Sequence, residues 1–205
     1  MILFYCMMLV FRPQLGHLDF PDMRRMTMAD LPGLIEGSHM NLGMGHKFLK
    51  HVERTKLLLF VIDINGFQLS SSYPFRNAFE TLVLLNRELE LYNPDLLKKP
   101  CVLAVNKSDT ENFKEKMDNF EELLDKKYEE GVLELPEEMI PEQKLDFKEI
   151  VVMSAKNDPK SVDNLKSKLR TQLDEAVDES EEKIKALSLE LDTHLNAVDK
   201  SQSLL

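Results

Sequence analysis

The chain has 205 residues, 43% of them apolar and 30% charged, which suffices for one domain of ordinary size with a real core. Its formal net charge of −10 excludes a surface that is wholly a nucleic-acid footprint, since such domains tend to be basic, and allows only a local basic patch. Two cysteines, Cys6 and Cys101, make no disulfide framework, and seven glycines with nine prolines exclude a fibrous or low-complexity chain.

Met1 to Phe11 is the one long apolar run. It is too short to span a bilayer as a helix, which needs roughly 20 residues, and it has neither a basic n-region nor a cleavage site. It reads either as a buried strand or as the start of a truncated chain. Leu15 to Phe20 and Met23 to Ala29 read as short strands with Pro21-Asp22 turning between them. Gly33, Gly37, Gly43 and Gly45 mark a long loop, expected to be disordered, and His46 to Thr55 has helical spacing.

Leu57 to Ile62 is continuously apolar and ends at Asp63, the pattern of a parallel strand buried on both faces. Phe75 to Leu91 is an amphipathic helix stopped by Asn93-Pro94. Cys101 to Val105 is a second buried strand running into Asn106, which makes Cys101 a core residue. Phe113 to Tyr128 is a charged helix whose carboxylates Glu121, Glu122 and Asp125 face solvent; Glu129 to Lys148 is an irregular acidic connection. Ile150 to Met153 is a third short strand, and Val162 to Val177 the next helix. From Glu179 the stripe Ile184, Leu187, Leu191, Leu195 and Val198 predicts a separate amphipathic tail helix.

Strands alternating with helices imply an α/β domain with a mainly parallel sheet, and such sheets bind ligands beyond the carboxyl ends of their strands. Three polar clusters follow strands: Asp30-Leu31-Pro32-Gly33, Asn106-Lys107-Ser108-Asp109 and Ser154-Ala155-Lys156. A carboxylate at Asp109 can accept from both the N1–H and the 2-amino group of guanine, a donor pair that adenine lacks. Asn106 can bond the base edge and tie neighbouring loops, while the Lys107 stem can lie along the ring. Asp30 can hold magnesium through water, and Gly33, having no Cβ, lets its amide approach a terminal phosphate. Ser154 to Lys156 can offer a backbone N–H to guanine O6. Each cluster alone also serves as an ordinary polar turn; their order and common placement point to a guanine-nucleotide pocket with a magnesium–phosphate end.

The run DLPGLIEGSHMNLGMGHKFLKHVERT, Asp30 to Thr55, resembles the extended second switch of the Obg family of GTPases. RPQLG at Arg12 to Gly16 is similar to the segment after that family's first switch, and NKSD and SAK to its fourth and fifth nucleotide motifs. The FQLSS stretch at Phe67 to Ser71 and the LLLFVID strand look most like the family's animal GTP-binding protein 10 branch. The resemblance covers residues 11 to 178. It implies a P-loop GTPase fold, GTP or GDP with Mg2+, and a part in ribosome biogenesis. That part would be contact with the large subunit or its rRNA, in mitochondrion or nucleolus, with no membrane and no DNA involved. Lys47, Lys50, Arg54 and Lys56 would then meet rRNA phosphates, or else form a solvated helix face. His39, His46 and His51 do not share a helical face and make no metal site.

The departures from the family pattern are specific. No G-x-x-x-x-G-K-S/T string occurs, so the phosphate loop with its lysine and magnesium-binding hydroxyl is absent. Leu9 and Val10 stand where the first switch carries threonine; Leu34 is apolar where many GTPases have a water-orienting glutamine, a feature the resemblance implies the family shares. The chain therefore divides into an apolar segment 1–10, a partial Obg-type G domain 11–178 lacking its first strand and P-loop helix, and a tail 179–205. A parallel neighbour needs a crossover of a dozen or more residues. Met1 to Val10, so close to Leu15, is thus expected to stay out of the sheet's centre. Leu57 to Ile62 would keep an unpaired edge, and the isolated chain would be poorly soluble. GTPase activity is left open, the alternative being a non-catalytic interaction module with little GTP binding.

Overall fold

The computed structural model describes residues 2–6, 14–30, 55–68, 71, 73–126, 136 and 139–202. Six strands form one sheet: β1 Ile2–Cys6, β2 Gln14–Asp19, β3 Arg25–Asp30, β4 Leu57–Asp63, β5 Cys101–Asn106 and β6 Phe147–Val152. Their order is β2-β3-β1-β4-β5-β6, and every neighbouring pair is parallel except the β2–β3 hairpin. The helices are α1 Ala78–Tyr92, α2 Phe113–Asp125 and α3 Pro159–Gln202, with a 3-10 turn at Pro94–Lys98.

The continuous apolar runs behave as two-faced strands. Leu58, Phe60 and Ile62 of β4, with Leu103 and Val105 of β5, meet Phe79, Leu82 and Leu89 of α1 and Met117 and Phe120 of α2. The alternate residues Leu57, Leu59, Val61, Val102 and Ala104 join Met26, Val151 and Met153 against Leu165, Leu169 and Leu173 of α3. Successive side chains of a strand point to opposite faces, so a strand roofed by helices on both sides must be apolar throughout. The edge strand β6 departs from this: Val151 is buried, but Ile150 and Val152 are 40% and 38% exposed.

α1 begins with a reciprocal cap. Asn77 Oδ1 accepts from Glu80 N at 2.8 Å, and Glu80 Oε2 accepts from Asn77 N at 2.9 Å. The β2–β3 hairpin is fastened to α3 by Arg24 bonding both carboxylate oxygens of Asp174 and by Arg170 pairing with Asp22. The Arg170 guanidinium also lies 5.1 Å from the Phe20 ring centroid.

Two expectations from the sequence are corrected. The apolar N-terminal run does enter the centre of the sheet: β1 lies between β3 and β4, with Ile2 opposite both Met28 and Leu57. The sheet therefore has a strand where the first strand was expected to be missing. The crossover rule applies to sequential parallel strands, and β2 runs antiparallel to β3 and hence to β1. β2 thus starts at the rim where β1 ends, two strand spacings away. That gap is about 10 Å, and residues 7–13 can span roughly 23 Å when extended. β3 then returns parallel into the space between them. β4 is paired on both sides, by β1 and β5, so the unpaired edge argued from the sequence does not exist, and with it goes the basis for expecting poor solubility. The second correction concerns the tail. No break separates it from the last helix of the domain, because α3 runs unbroken for 44 residues across position 179. The expected helix at His46 to Thr55 and the Gly33 to Gly45 loop lie outside the described residues.

Candidate functional site

β3, β4 and β5 are mutually parallel through β1; Asp63 and Asn106 end their strands in register, and Asp30 ends β3 at the same carboxyl side but level with Leu59, four residues back. Asp30 stands in register with Phe4 and Gln14, while Leu31, Pro32 and Gly33 lie outside the described residues. Ser154 follows β6 at the same rim.

Asn106 holds the site together. Its Oδ1 accepts the N–H of Lys107 at 2.8 Å and the N–H of Ala155 at 3.0 Å. Backbone bonds from Ser108 N to Met153 O at 3.1 Å and from Met153 N to Val105 O at 2.9 Å lock the two loops further. The Ala155 N–H, one of the backbone donors of Ser154 to Lys156, is thus already held by Asn106. Lys107 sits at φ +67°, and its Nζ pairs with Asp63 Oδ2 at 2.5 Å. Asp63 Oδ1 accepts from Asn65 N at 2.9 Å and from Asn65 Nδ2 at 3.0 Å. Asn65 Oδ1 in turn accepts from Thr110 Oγ1 at 3.2 Å and from Lys116 Nζ at 2.6 Å. The ends of β4 and β5 and the start of α2 are thereby one polar network.

Asp109 is exposed, and its Oδ2 accepts from Asn157 Nδ2 at 2.5 Å. Hydrogen bonds from the Ser154 hydroxyl first, and from Asn157 second, hold its carboxyl below the usual carboxylate range, with the Lys156 charge adding to them. Ser154 itself is 1% exposed and its Oγ accepts the Asn157 N–H at 3.1 Å. Lys107, Ala155 and Lys156 are exposed and Ser108 half-buried.

The structure thus joins the Asn106–Asp109 loop to the Ser154–Lys156 loop, while Asp30 ends its strand on the same side of the sheet but level with Leu59. Sequence reasoning missed Asp63, Asn65 and Asn157 as members of the site. Asp63 carried the signal that marked Asn106, a polar residue closing a buried strand. Asn157 lay one residue beyond the triplet and carried none.

The phosphate end is different. In a strand–loop–helix nucleotide site the phosphate loop follows the central strand. Here Met7 to Pro13 follow β1, and they contain neither glycine nor lysine. Magnesium is commonly held by one or two carboxylates together with substrate phosphates. The described residues contain no group of three or more His, Cys, Asp or Glu able to hold a metal. The described residues by themselves do not make a magnesium site. Among the described residues no helix is long and apolar enough to cross a membrane.

A parallel α/β sheet with NKSD and SAK clusters at the carboxyl rim defines a P-loop GTPase-like fold, and a family profile described as 50S ribosome-binding GTPase matches residues 11–107. GTP-binding protein 10 of Xenopus tropicalis is 51% identical over 170 residues, covering 82% of this chain and 43% of that protein. GTP-binding protein 10 of Homo sapiens is 49% identical over 166 residues, 80% of this chain and 42% of that protein. GTPase Obg of Bacillus licheniformis is 41% identical over 116 residues, 57% of this chain and 26% of that protein. The chain belongs to the Obg family of GTPases, in its GTP-binding protein 10 branch, and spans less than half the length of these relatives.

Proposed function

We propose that this chain is an Obg-type guanine-nucleotide recognition module acting in assembly of the large ribosomal subunit. The observation that carries this reading is the double acceptance by Asn106 Oδ1, which sets the Lys107–Asp109 loop against the Ser154–Lys156 loop. In this reading Asp109 takes the guanine N1–H and 2-amino donors. Asn106 keeps the two loops tied while a backbone N–H of the Ser154–Lys156 loop meets O6, and Lys107, once it leaves Asp63, lays its stem along the base. Ser108 and Lys156 flank the base, and Asp30 to Gly33 face the phosphates and Mg2+. The partner is the large subunit or its rRNA, in mitochondrion or nucleolus as the family role implies, with neither membrane nor DNA.

Without a phosphate loop the affinity is low. That loop supplies several bonds to charged phosphates, each worth about 1.5–3 kcal/mol, so losing three removes roughly 5–9 kcal/mol, or about four to six decades. Titration calorimetry on the full chain tests this. GDP should bind at high-micromolar affinity or weaker, still ahead of ADP, and Asp109→Asn should erase that preference. Low-micromolar GTP binding overturns the expected low affinity, and a preference that survives Asp109→Asn overturns the assignment of Asp109.

The glycine-free, lysine-free segment after β1 favours a second reading, a non-catalytic interaction module that keeps the ribosome-facing surfaces. Cosedimentation with large ribosomal subunits, unchanged by GTP or GDP and by Asp109→Asn, would select it.

A further inference from the structure

We infer that Asn157 is a positioning residue that sets guanine specificity by fixing the plane of the Asp109 carboxylate. This rests on the guanine reading of the site.

A carboxylate offers about four lone-pair positions, and the two donors of guanine need one on each oxygen. An exposed aspartate is otherwise free to rotate, and a rotated carboxylate meets only one donor at a time. In this structure one of the remaining positions is filled from the protein side, where Asn157 Nδ2 donates to Oδ2 at 2.5 Å. Asn157 is itself held. Its backbone N–H donates to Ser154 Oγ at 3.1 Å, and Ser154 N donates to Ser161 Oγ at 3.1 Å. Ser161 Oγ donates to Asp158 O at 2.6 Å, so this chain of bonds runs from the first turn of α3 to the Asp109 carboxylate. An amide suits the role. It is neutral, so it orients the carboxylate while leaving its charge for the base. A lysine there would pair with that charge, and an aspartate would repel it.

The test uses the full chain labelled with 13C and 15N. One arm follows the Asp109 carboxyl carbon with pH and needs no nucleotide. The other measures binding of GDP, IDP (which lacks the 2-amino group) and ADP from amide shifts. Asn157→Ala should raise the Asp109 titration midpoint toward the ordinary carboxylate value. It should also cut the GDP-over-IDP preference by about 2- to 10-fold, the worth of one ordinary hydrogen bond. Asn157→Gln, which keeps the donor, should recover part of both. If Asn157→Ala loses the Ala155 and Ser108 amide peaks, and so its loop, Asn157→Ser carries the same comparison. An unmoved midpoint, or an unmoved GDP-over-IDP preference in a folded variant, overturns the role of Asn157. Should Asp109→Asn erase guanine preference while Asn157→Ala leaves it intact, this inference fails and the guanine site stands. A wild-type chain with no preference for GDP over IDP or ADP removes both.

Discussion

The side-chain oxygen of Asn106 accepts the backbone N–H of Ala155, 49 residues further along the chain, at 3.0 Å. The same oxygen caps the N–H of Lys107, so one half-buried amide sets the geometry of two loops. Replacing it with Ala leaves both N–H groups without this acceptor. Asn106→Ala should lower the unfolding free energy by about 1–2 kcal/mol in urea, whereas Asn106→Asp, which keeps an acceptor, should lose less. Equal losses for the two variants would show that the shared oxygen is not what joins the loops.

Gly66 turns the chain out of β4 at φ +83°, and a Cβ built there would lie 2.3 Å from the backbone oxygen of Arg76. Backbone cannot move aside as a side chain can. The Phe67–Arg76 bridge, 2.8 Å in each direction, would have to open. Gly66→Ala is therefore expected to cost about 2 kcal/mol or more by chemical denaturation. A near-wild-type midpoint would mean the turn is not rigid.

The Arg24–Asp174 pair fastens the β2–β3 hairpin to α3, although the two side chains are 36% and 41% exposed. Solvent screening limits such a pair to about 0.5–1 kcal/mol even with bidentate geometry. Arg24→Asp should destabilise by that much or slightly more. Combining it with Asp174→Arg should restore most of the loss at low salt and little at high salt. Absence of any coupling in the double-mutant cycle would reduce the contact to packing.

Burial pushes the Cys101 thiol up to about 12, with the charge of Asp146 adding to it. The folded state thus favours the protonated thiol more than the unfolded chain does, whose thiol titrates near 9. The stabilising effect of this shift is whole below pH 9 and falls as pH rises toward 12. Native protein at pH 8 should resist a thiol reagent at this position until denaturant unfolds it. Prompt labelling of Cys101 in folded protein, read by peptide mass, would contradict its burial.

The sequence by itself determined what depends on residues close together in the chain. Leu57 to Ile62 and Cys101 to Val105 declare strands buried on both faces because no polar residue interrupts them, and the core confirms both. The polar clusters at Asn106 and Ser154 mark a carboxyl rim, because each follows a strand. The dense Asp30 to Thr55 run and the NKSD and SAK strings carry the family. What only the tertiary structure decided depends on which strand lies beside which. The seven residues after Cys6 forbid a parallel neighbour next in sequence, but they allow β2 to cross past the place that β3 later fills. Whether Ile150 and Val152 are covered depends on β6 being an edge strand, a fact that no residue within β6 encodes. Asp63, Asn65 and Asn157 enter the site through partners up to 51 residues away, Lys116 for Asn65 and Asp109 for Asn157 among them. Burial follows from periodicity along a segment, but pairing follows from three-dimensional neighbours, which local pattern does not record.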